Sequence, residues 1–237
     1  KLMSYYIKAF SKKEINVSQL LLTNDIFNNR KRFLNTRATI LELLKMGIVP
    51  IINENDTVSI DEIMFGDNDI LASKVAAMMD ADLLILLTDI DGLYSNNPKT
   101  NKRAKLISSL DEESFDFQVI NDSESQVSFG GMSSKINAAL DVSKFGIPTI
   151  IANGKNKNVL KDIFSSKDVG TAIIPSSVKI GNRKKWIGMG PKSSGKLYLD
   201  SGAANAIVNN RKSLLPSGIV KIEGSFKKGQ QVVCMSL

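Results

Sequence analysis

Four short apolar runs recur along the first 152 residues of the chain. Each run has the length of one β-strand, and most are continuously apolar rather than alternating with polar residues. Strands that helices cover on both faces have this pattern. The runs therefore predict buried strands of a parallel sheet at VSQLLLT (17–23), IVPIIN (48–53), LLILLT (83–88) and IPTIIA (147–152).

Helical patterns lie between these runs. In one segment, apolar residues recur at the spacing of a single helix face, namely Leu71, Val75, Met78 and Met79. This periodicity predicts a helix over 69–80, and two more are predicted over 32–46 and from near Ser133 to Gly146. Strands that alternate with helices predict an α/β fold, with a doubly wound, mainly parallel sheet between helices.

The composition changes near Thr171. From this residue onward, 11 Lys and Arg residues face two acidic residues, whereas the preceding 170 residues carry 20 basic and 22 acidic ones. The last segment has the pattern of a strand, a short helix and further strands with glycine turns, as in a small β domain. We therefore predict an α/β domain over 1–175, a linker over 176–194 and a small, truncated β domain over 195–237.

The chain has no histidine and a single cysteine, Cys234. Within this chain, that composition excludes Ser-His-Asp and Cys-His catalysis, His-ligated zinc and an intrachain disulfide. No apolar run reaches the ~18 residues of a membrane span, and no signal peptide is evident. A single cysteine is typical of a reducing compartment, so we expect a cytoplasmic protein. Because the first residue is not Met, we expect the chain to be part of a longer one.

A carboxylate-rich cluster follows the second predicted strand, where open α/β sheets bind their ligands. Between Asn53 and Asp69, the 17 residues include six carboxylates and three asparagines but no Lys or Arg. Unpaired carboxylates repel one another, so this segment is either a solvated acidic loop or a site for a cationic group. Asparagine both donates and accepts hydrogen bonds, which suits a zwitterion such as an amino acid.

Two further clusters allow either a nucleotide site or ordinary local structure. GGMSSK (130–135) opens a predicted helix, where backbone N–H groups and the helix N-terminus favour an anion. Lys135 in that first turn opposes the helix dipole, and an anionic ligand would remove the conflict. A plain capped helix is the alternative, as a simple Asp-Gly turn is for TDIDGLYSNNP (88–98).

Together these motifs resemble the glutamate 5-kinase branch of the amino acid kinase family. The resemblance rests on PIINENDTV, FGDND, LLTDIDGLY and GGMSSK, which occur in this order. The tail motifs NRKKWI, GKLYLDSGAANAI, SLLPSGI and EGSFKKG resemble that family's linker and C-terminal PUA domain. The resemblance implies ATP-dependent phosphorylation of the L-glutamate γ-carboxylate, the first step of proline biosynthesis, with ATP and Mg²⁺ as cofactors.

The resemblance also implies roles for individual residues. Glutamate would be bound by Asn53, Asp56, Asp67 and Asn68. Asp69 would orient catalytic lysines, and Lys135 would stabilise charge on the transferred phosphoryl group. Nucleotide contacts would come from Thr88, Asp89, Gly130, Gly131, Met132, Ser133, Ser134 and Lys135. A homo-oligomer, functional coupling to glutamate-5-semialdehyde dehydrogenase and the absence of a membrane partner are implied as well.

The chain departs from the family pattern before Asn53, where a Lys-x-Gly-x-Ser strand-turn and a Ser-Gly-Ala turn are expected but do not occur. Lys179-Ile180-Gly181 mimics the first motif but lies in the predicted linker. Phe129 replaces the small or hydroxylated residue that is expected before the two glycines.

Three alternatives therefore stay open. The protein could be another family member (an acetylglutamate, uridylate or aspartate kinase), an inactive fragment, or an RNA-binding protein whose basic tail offers Trp186, Tyr198 and Phe226 for stacking.

Overall fold

The computed structural model describes residues 1–57, 67–96, 98, 101–111, 130–175, 195–228 and 230–236. The chain divides into two compact units, Lys1–Lys185 and Trp186–Leu237. The predicted linker, together with Phe129 and Gly66, lies outside the described residues.

The first unit alternates strands with helices, as the apolar runs predict. Its strands are β1 (Val17–Leu22), β2 (Val49–Glu54), β3 (Leu84–Thr88), β4 (Ser109–Asp111), β5 (Thr149–Asn153) and β6 (Thr171–Ile174). Its helices are α1 (Leu2–Ser11), α2 (Asp25–Asn28), α3 (Arg30–Lys45), α4 (Asn68–Met79), α5 (Gly130–Ser143) and α6 (Val159–Phe164). All four strands that the sequence predicts are confirmed, but their predicted burial is incomplete, since Leu21 of β1 and Leu87 of β3 are 45% and 47% exposed.

Strand pairing in this unit is mainly parallel. β1 pairs with β2 in a two-stranded parallel sheet, and a second sheet has the order β3-β5-β6-β4. Its β3–β5 and β4–β6 pairs are parallel and its β5–β6 pair is antiparallel. The described strands thus form two hydrogen-bonded groups instead of one, and α4 contacts both because it packs against β2 and β3.

A glycine permits the close approach of β6 to β5. Gly170 has a φ of +80°, and a Cβ at this position would lie 2.3 Å from the carbonyl oxygen of Ile151. Only a residue without a side chain fits there, since both the space and the left-handed backbone exclude others. The chain can therefore turn directly into the antiparallel pairing of β5 with β6.

The helix α4 has defined ends. The Asp67 side chain caps its N-terminus by accepting a hydrogen bond from the backbone N–H of Asp69 at 2.9 Å. At its C-terminus, Asp80 adopts a left-handed conformation, and Arg37 of α3 donates to the Met78 carbonyl at 2.9 Å. The predicted helix over 69–80 is confirmed to within one residue at each end.

The helix α5 begins earlier than its predicted start near Ser133. It starts at Gly130, so the two glycines belong to its first turn rather than to a preceding loop. Burial of one face holds the helix in place, because its apolar side chains are almost fully enclosed: Met132, Ile136, Ala138, Ala139, Leu140 and Val142. Because Gly130 and Gly131 are the first two residues of α5, their backbone N–H groups have no carbonyl partner within the helix.

The second unit is a small β structure with one short helix. It contains β7 (Gly195–Leu199), α7 (Ser201–Val208), a 3₁₀ turn (Pro216–Gly218), β8 (Ile219–Gly224) and β9 (Val233–Ser236). The strand order is β8-β7-β9, with an antiparallel β7–β8 pair and a parallel β7–β9 pair. Asp200 caps α7 by accepting from the Ala203 N–H at 2.7 Å. This arrangement confirms the predicted strand, short helix and further strands.

Within the described ranges, the structure has no helix that combines the length and the apolar character needed to cross a membrane.

Candidate active site

The candidate site lies where β2 and β3 end and where α4 and α5 begin. Carboxyl ends of parallel strands and helix N-termini meet at one edge of such a fold, which favours anionic ligands there. The sequence places its carboxylates at the start of α4 and its lysine at the start of α5. The fold brings these two starts together, since α4 and α5 pack against each other.

An ion pair joins the two helices at this point. Lys135 Nζ of α5 lies 2.7 Å from Asp69 Oδ2 of α4, and the two side chains are 16% and 15% exposed. A shielded pair of this kind interacts more strongly than an exposed one because less water screens it. The structure thus joins the two residues that the sequence predicts to be catalytic.

The environment of Asp69 makes its ionisation depend on this lysine. Burial raises the pKa of Asp69 above its ordinary value, and the nearby charge of Asp67 adds to the rise. The hydrogen bond and the charge of Lys135 act in the opposite direction without cancelling it. The charged lysine is therefore the main group that keeps Asp69 ionised.

Asp67 is held from two sides. Its Oδ1 accepts from the Asp69 N–H at 2.9 Å, and its Oδ2 accepts from the hydroxyl of Ser134 in α5. Burial by itself raises the pKa of Asp67, but these two hydrogen bonds and the charge of Lys135 outweigh it and lower the pKa below its ordinary value. Asp67 is therefore a stable carboxylate that links the two helix starts.

The other predicted glutamate residues make no side-chain bond to this cluster among the described contacts. Asn53 is half-buried near the end of β2, paired in register with Leu21 of β1. Asp56 is exposed just beyond β2, and Asn68 is exposed between the two fixed aspartates. Their role as glutamate ligands stays a prediction.

The predicted nucleotide residues after β3 belong to a second hydrogen-bonded group. Thr88 ends β3, and its hydroxyl donates to Asp89 at 3.4 Å. Beyond it, Asp91 accepts from the Asn153 amide at 2.8 Å and from the Tyr94 hydroxyl at 3.2 Å. The turn after β3 is therefore tied to the end of β5.

Sequence reasoning missed the contribution of β5 to this edge. Lys155 Nζ lies 4.0 Å from Asp89 Oδ2, with both side chains about three quarters exposed (74% and 75%). The signal was present in the sequence, since Asn153, Gly154 and Lys155 directly follow the apolar run of β5. Polar residues at the carboxyl end of a buried strand are candidates for a ligand site in such folds.

Gly154 allows the two loops to approach closely. Its N–H donates to the Thr88 carbonyl at 2.8 Å, and a Cβ at this position would lie 3.1 Å from the Leu87 Cβ. That contact is tighter than ordinary packing, so a side chain would require Leu87 or the loop to shift by a few tenths of an ångström. The glycine therefore brings Lys155 to the predicted nucleotide residues.

Curated proteins named glutamate 5-kinase are similar to almost the whole chain. The protein from Thermoanaerobacter sp. (strain X514) is 46% identical over 232 residues, which cover 98% of this chain and 62% of that protein. The proteins from Syntrophus aciditrophicus (strain SB) and Geobacter sulfurreducens are 47% and 44% identical over 236 residues, covering 99% of this chain and 61% and 63% of their own lengths. The chain thus spans less than two thirds of these relatives.

Solved structures share the fold of the chain. An isopentenyl phosphate kinase aligns with a TM-score of 0.52 at 20% identity, over 73% of this chain and 65% of that one. Carbamate kinase from Giardia lamblia bound to AMP-PNP aligns with a TM-score of 0.52 at 15% identity, over 72% and 66%. At such low identity, the likeness concerns the fold alone.

Sequence profiles of two families match the chain in separate regions. The PUA domain matches residues 195–237, which contain β7, α7, β8 and β9. The amino acid kinase family matches residues 1–153, which contain the two helix starts and the strand ends of the candidate site. This second match extends over more than half of the sequence, and the chain therefore belongs to the amino acid kinase family.

Proposed function

We propose that the protein phosphorylates the γ-carboxylate of L-glutamate with ATP to give L-glutamyl 5-phosphate. The observation that carries this proposal is the Lys135–Asp69 ion pair at the meeting point of α4 and α5. It holds Lys135 at the N-terminus of α5. The lysine charge and the partial positive charge of the helix N-terminus would both act on a transferred phosphoryl group. The relatives named glutamate 5-kinase, similar over almost the whole chain, support the choice of acceptor.

The glutamate side of the site would consist of the carboxylates and amides around the start of α4. Asp67 is ionised at neutral pH because its pKa is lowered, and Asp56 is exposed just beyond β2. These groups can accept hydrogen bonds from the substrate ammonium. The Asn53 and Asn68 amides can both donate and accept, which suits the remaining polar groups of an amino acid.

The nucleotide side would consist of the first turn of α5 and the ends of β3 and β5. Backbone N–H groups of the first three helical residues, Gly130, Gly131 and Met132, have no carbonyl partner within the helix and can donate to phosphate oxygens. Thr88 and Asp89 lie at the end of β3, next to the exposed Lys155. This second lysine adds a positive charge close to the predicted nucleotide residues.

The reaction requires positioning and charge neutralisation more than proton transfer. The substrate γ-carboxylate has an ordinary pKa near ~4.3, so it is ionised at neutral pH and needs no general base. One of its oxygens would attack the γ-phosphorus of ATP while the bond to the bridging oxygen breaks, and ADP leaves with that electron pair. Because two anions must meet, Lys135 and the N–H groups of α5 would supply the main stabilisation.

Mg²⁺ would enter with the nucleotide as part of the substrate. In the ranges that the structure describes, no three His, Cys, Asp or Glu side chains lie close enough to hold a metal by themselves. Mg²⁺ requires no such cluster, because it keeps several waters and commonly binds through substrate phosphates with one or two carboxylates. Bound in this way, the ion would neutralise phosphate charge.

The proposal extends to the partners that this reaction requires. The acyl-phosphate product is labile, so functional coupling to glutamate-5-semialdehyde dehydrogenase, a reductase that consumes it, fits the chemistry. A homo-oligomer in the cytoplasm is the form that we propose. Size-exclusion chromatography with light scattering would measure the oligomeric state.

A substrate panel tests the proposed activity directly. The full-length protein would be supplied with MgATP and one acceptor at a time: L-glutamate, N-acetyl-L-glutamate, L-aspartate or UMP. We expect ADP release only with L-glutamate, together with glutamyl hydroxamate when hydroxylamine traps the acyl phosphate. ADP release with a different acceptor alone would reassign the protein to another branch of the family, and no release with any acceptor would support the inactive alternative.

A further inference from the structure

Ser134 lies in the segment predicted to bind nucleotide, but its hydroxyl is engaged elsewhere. It donates its hydrogen bond to Asp67 Oδ2 at the start of α4. A serine hydroxyl has one proton, so this bond uses the only hydrogen that the side chain can offer to a phosphate. The described geometry therefore directs the donor function of Ser134 toward the predicted glutamate residues.

The contact completes a double connection between the two helices. The neighbouring residues Ser134 and Lys135 of α5 bind Asp67 and Asp69 of α4, respectively. Asn68 lies between these two aspartates and is exposed. Both flanking side chains are therefore fixed by α5, while the amide between them remains open to a ligand.

The position of Asp67 depends on Ser134 for one of its two oxygens. Asp67 Oδ1 is directed by the cap of its own helix, since it accepts from the Asp69 N–H. Oδ2 is directed by α5 through Ser134. Without the hydroxyl, Asp67 Oδ2 would lose this partner. The carboxylate could then swing about its Cβ–Cγ bond within the range that the Oδ1 cap allows, and its free lone pairs would no longer point in one fixed direction.

We propose that Ser134 is a positioning residue for the amino acid substrate, which holds the Asp67 carboxylate and the adjacent Asn68 in the orientation that binds L-glutamate. This inference rests on the proposed function, because it takes L-glutamate as the ligand of these residues. It assigns Ser134 to the glutamate side of the site, although its sequence position lies in the nucleotide segment.

An isosteric pair of variants tests the hydroxyl itself. Ser134→Thr keeps the hydroxyl, whereas Ser134→Val has nearly the same shape as threonine without it. Binding of L-glutamate to the full-length protein would be measured by calorimetry in the absence of nucleotide. We expect Ser134→Val to weaken binding about tenfold, as for one lost hydrogen bond to a charged group, and Ser134→Thr to stay within about twofold.

Kinetics separate a positioning role from a phosphate contact. Ser134→Val should raise KM for L-glutamate and leave KM for ATP nearly unchanged. Ser73→Ala serves as the control, because the Ser73 hydroxyl donates to the Ile70 carbonyl of its own helix α4 and, among the described contacts, to neither aspartate. Thermal unfolding of each variant shows whether the fold is retained, and Ser134→Ala provides a smaller replacement if the valine does not fit.

A double-mutant cycle shows whether Ser134 acts through Asp67. In the Asp67→Asn background, Ser134→Val should weaken glutamate binding by less than about twofold further, because the partner is already changed. Equal glutamate binding by the valine and threonine variants, or a rise in KM for ATP alone, would overturn the inference and leave the proposed function intact. A wild-type protein that binds nucleotide but no L-glutamate would overturn both.

Discussion

At the scale of single residues, Lys135 combines several physical roles. It carries the charge that would face the phosphoryl group, and it keeps the half-buried Asp69 ionised. A second lysine near the end of the same helix offers a comparison, since Lys144 pairs with Asp141 at 2.8 Å in an exposed i,i+3 contact. The two lysines have similar partners and different surroundings.

We expect Lys135→Ala to lower kcat by a factor on the order of 10² to 10³, as when one donor to a developing negative charge is removed. It should also lower the free energy of unfolding by about 1–3 kcal/mol, because Asp69 loses its partner in a shielded position. Steady-state kinetics and denaturant unfolding measure the two effects. Lys144→Ala should change neither appreciably, and an equal loss of activity in both variants would contradict the assignment.

Two fully buried threonines on neighbouring strands provide a test of packing energetics. In the described structure, the hydroxyl of Thr149 on β5 has no hydrogen-bond partner. The hydroxyl of Thr171 on β6 accepts from the Leu93 N–H at 2.8 Å and donates to the Ile107 carbonyl at 2.6 Å. Both are 0% exposed, so the hydrogen bonds are the main difference between them.

We expect Thr149→Val to raise the free energy of unfolding by about 1 kcal/mol, since it removes a buried polar group that lacks a partner. Thr171→Val should lower it by about 1–3 kcal/mol, because it leaves a backbone donor and a backbone acceptor unpaired. Denaturant unfolding of both variants is the measurement. Equal signs for the two changes would contradict this account of the two hydroxyls.

At the scale of elements, the loops after β3 and β5 act as one unit. The Asn153–Asp91 hydrogen bond and the Gly154–Thr88 backbone bond join them at two points. Since Thr88 and Asp89 lie in the first of these loops, their positions depend on a strand that is distant in sequence. The sequence of residues 88–98 by itself therefore does not reveal this dependence.

We expect Asn153→Ala to raise KM for ATP by about three- to tenfold and to leave KM for L-glutamate unchanged, because it removes the bond to Asp91 and the bond accepted from the Lys155 N–H. Initial rates at varied concentrations of each substrate provide the measurement. Asn156→Ala is the matched control, because its side chain accepts from the nearby Asn158 N–H within its own loop and makes no other bond among the described contacts. A selective rise in KM for L-glutamate would show that the β5 loop serves the other side of the site.

The strands of the first unit could be predicted from the sequence more accurately than the start of α5. The strands β1, β2, β3 and β5 were evident as short, nearly continuous apolar runs, although Leu21 of β1 and Leu87 of β3 are exposed in the described structure. The start of α5 was placed too late, since glycine has a low helix propensity and the pair at 130–131 suggested a loop. Burial of the Met132–Val142 face overrides that local preference.

At the scale of the whole molecule, the two site aspartates make opposite contributions to the pH dependence of stability. The pKa of Asp67 is lowered in the folded state, so its contribution is complete above its unfolded pKa and is lost as the pH falls through its folded pKa. The pKa of Asp69 is raised, so its contribution is present below its unfolded pKa and is lost as the pH rises through its folded pKa.

A pair of variants separates these contributions. Relative to the wild type, Asp67→Asn should cost most stability near neutral pH, and the difference should shrink as the pH falls below about 4. The stability difference between the wild type and Asp69→Asn should change in the opposite sense across the acidic range. Chemical unfolding between about pH 3 and 7 measures both curves, and parallel curves for the two variants would refute the assigned directions.

The sequence by itself determined the fold class, the strand order along the chain and the residue types at the site. It could do so because burial imposes periodicity and because carboxylates, glycines and a lysine at strand and helix ends follow local chemical rules. Only the tertiary structure decided which of these residues touch: Lys135 with Asp69, Ser134 with Asp67, and Asn153 with Asp91. Each of these pairs joins positions more than 60 residues apart, and such contacts follow from the packing of whole elements rather than from any local pattern.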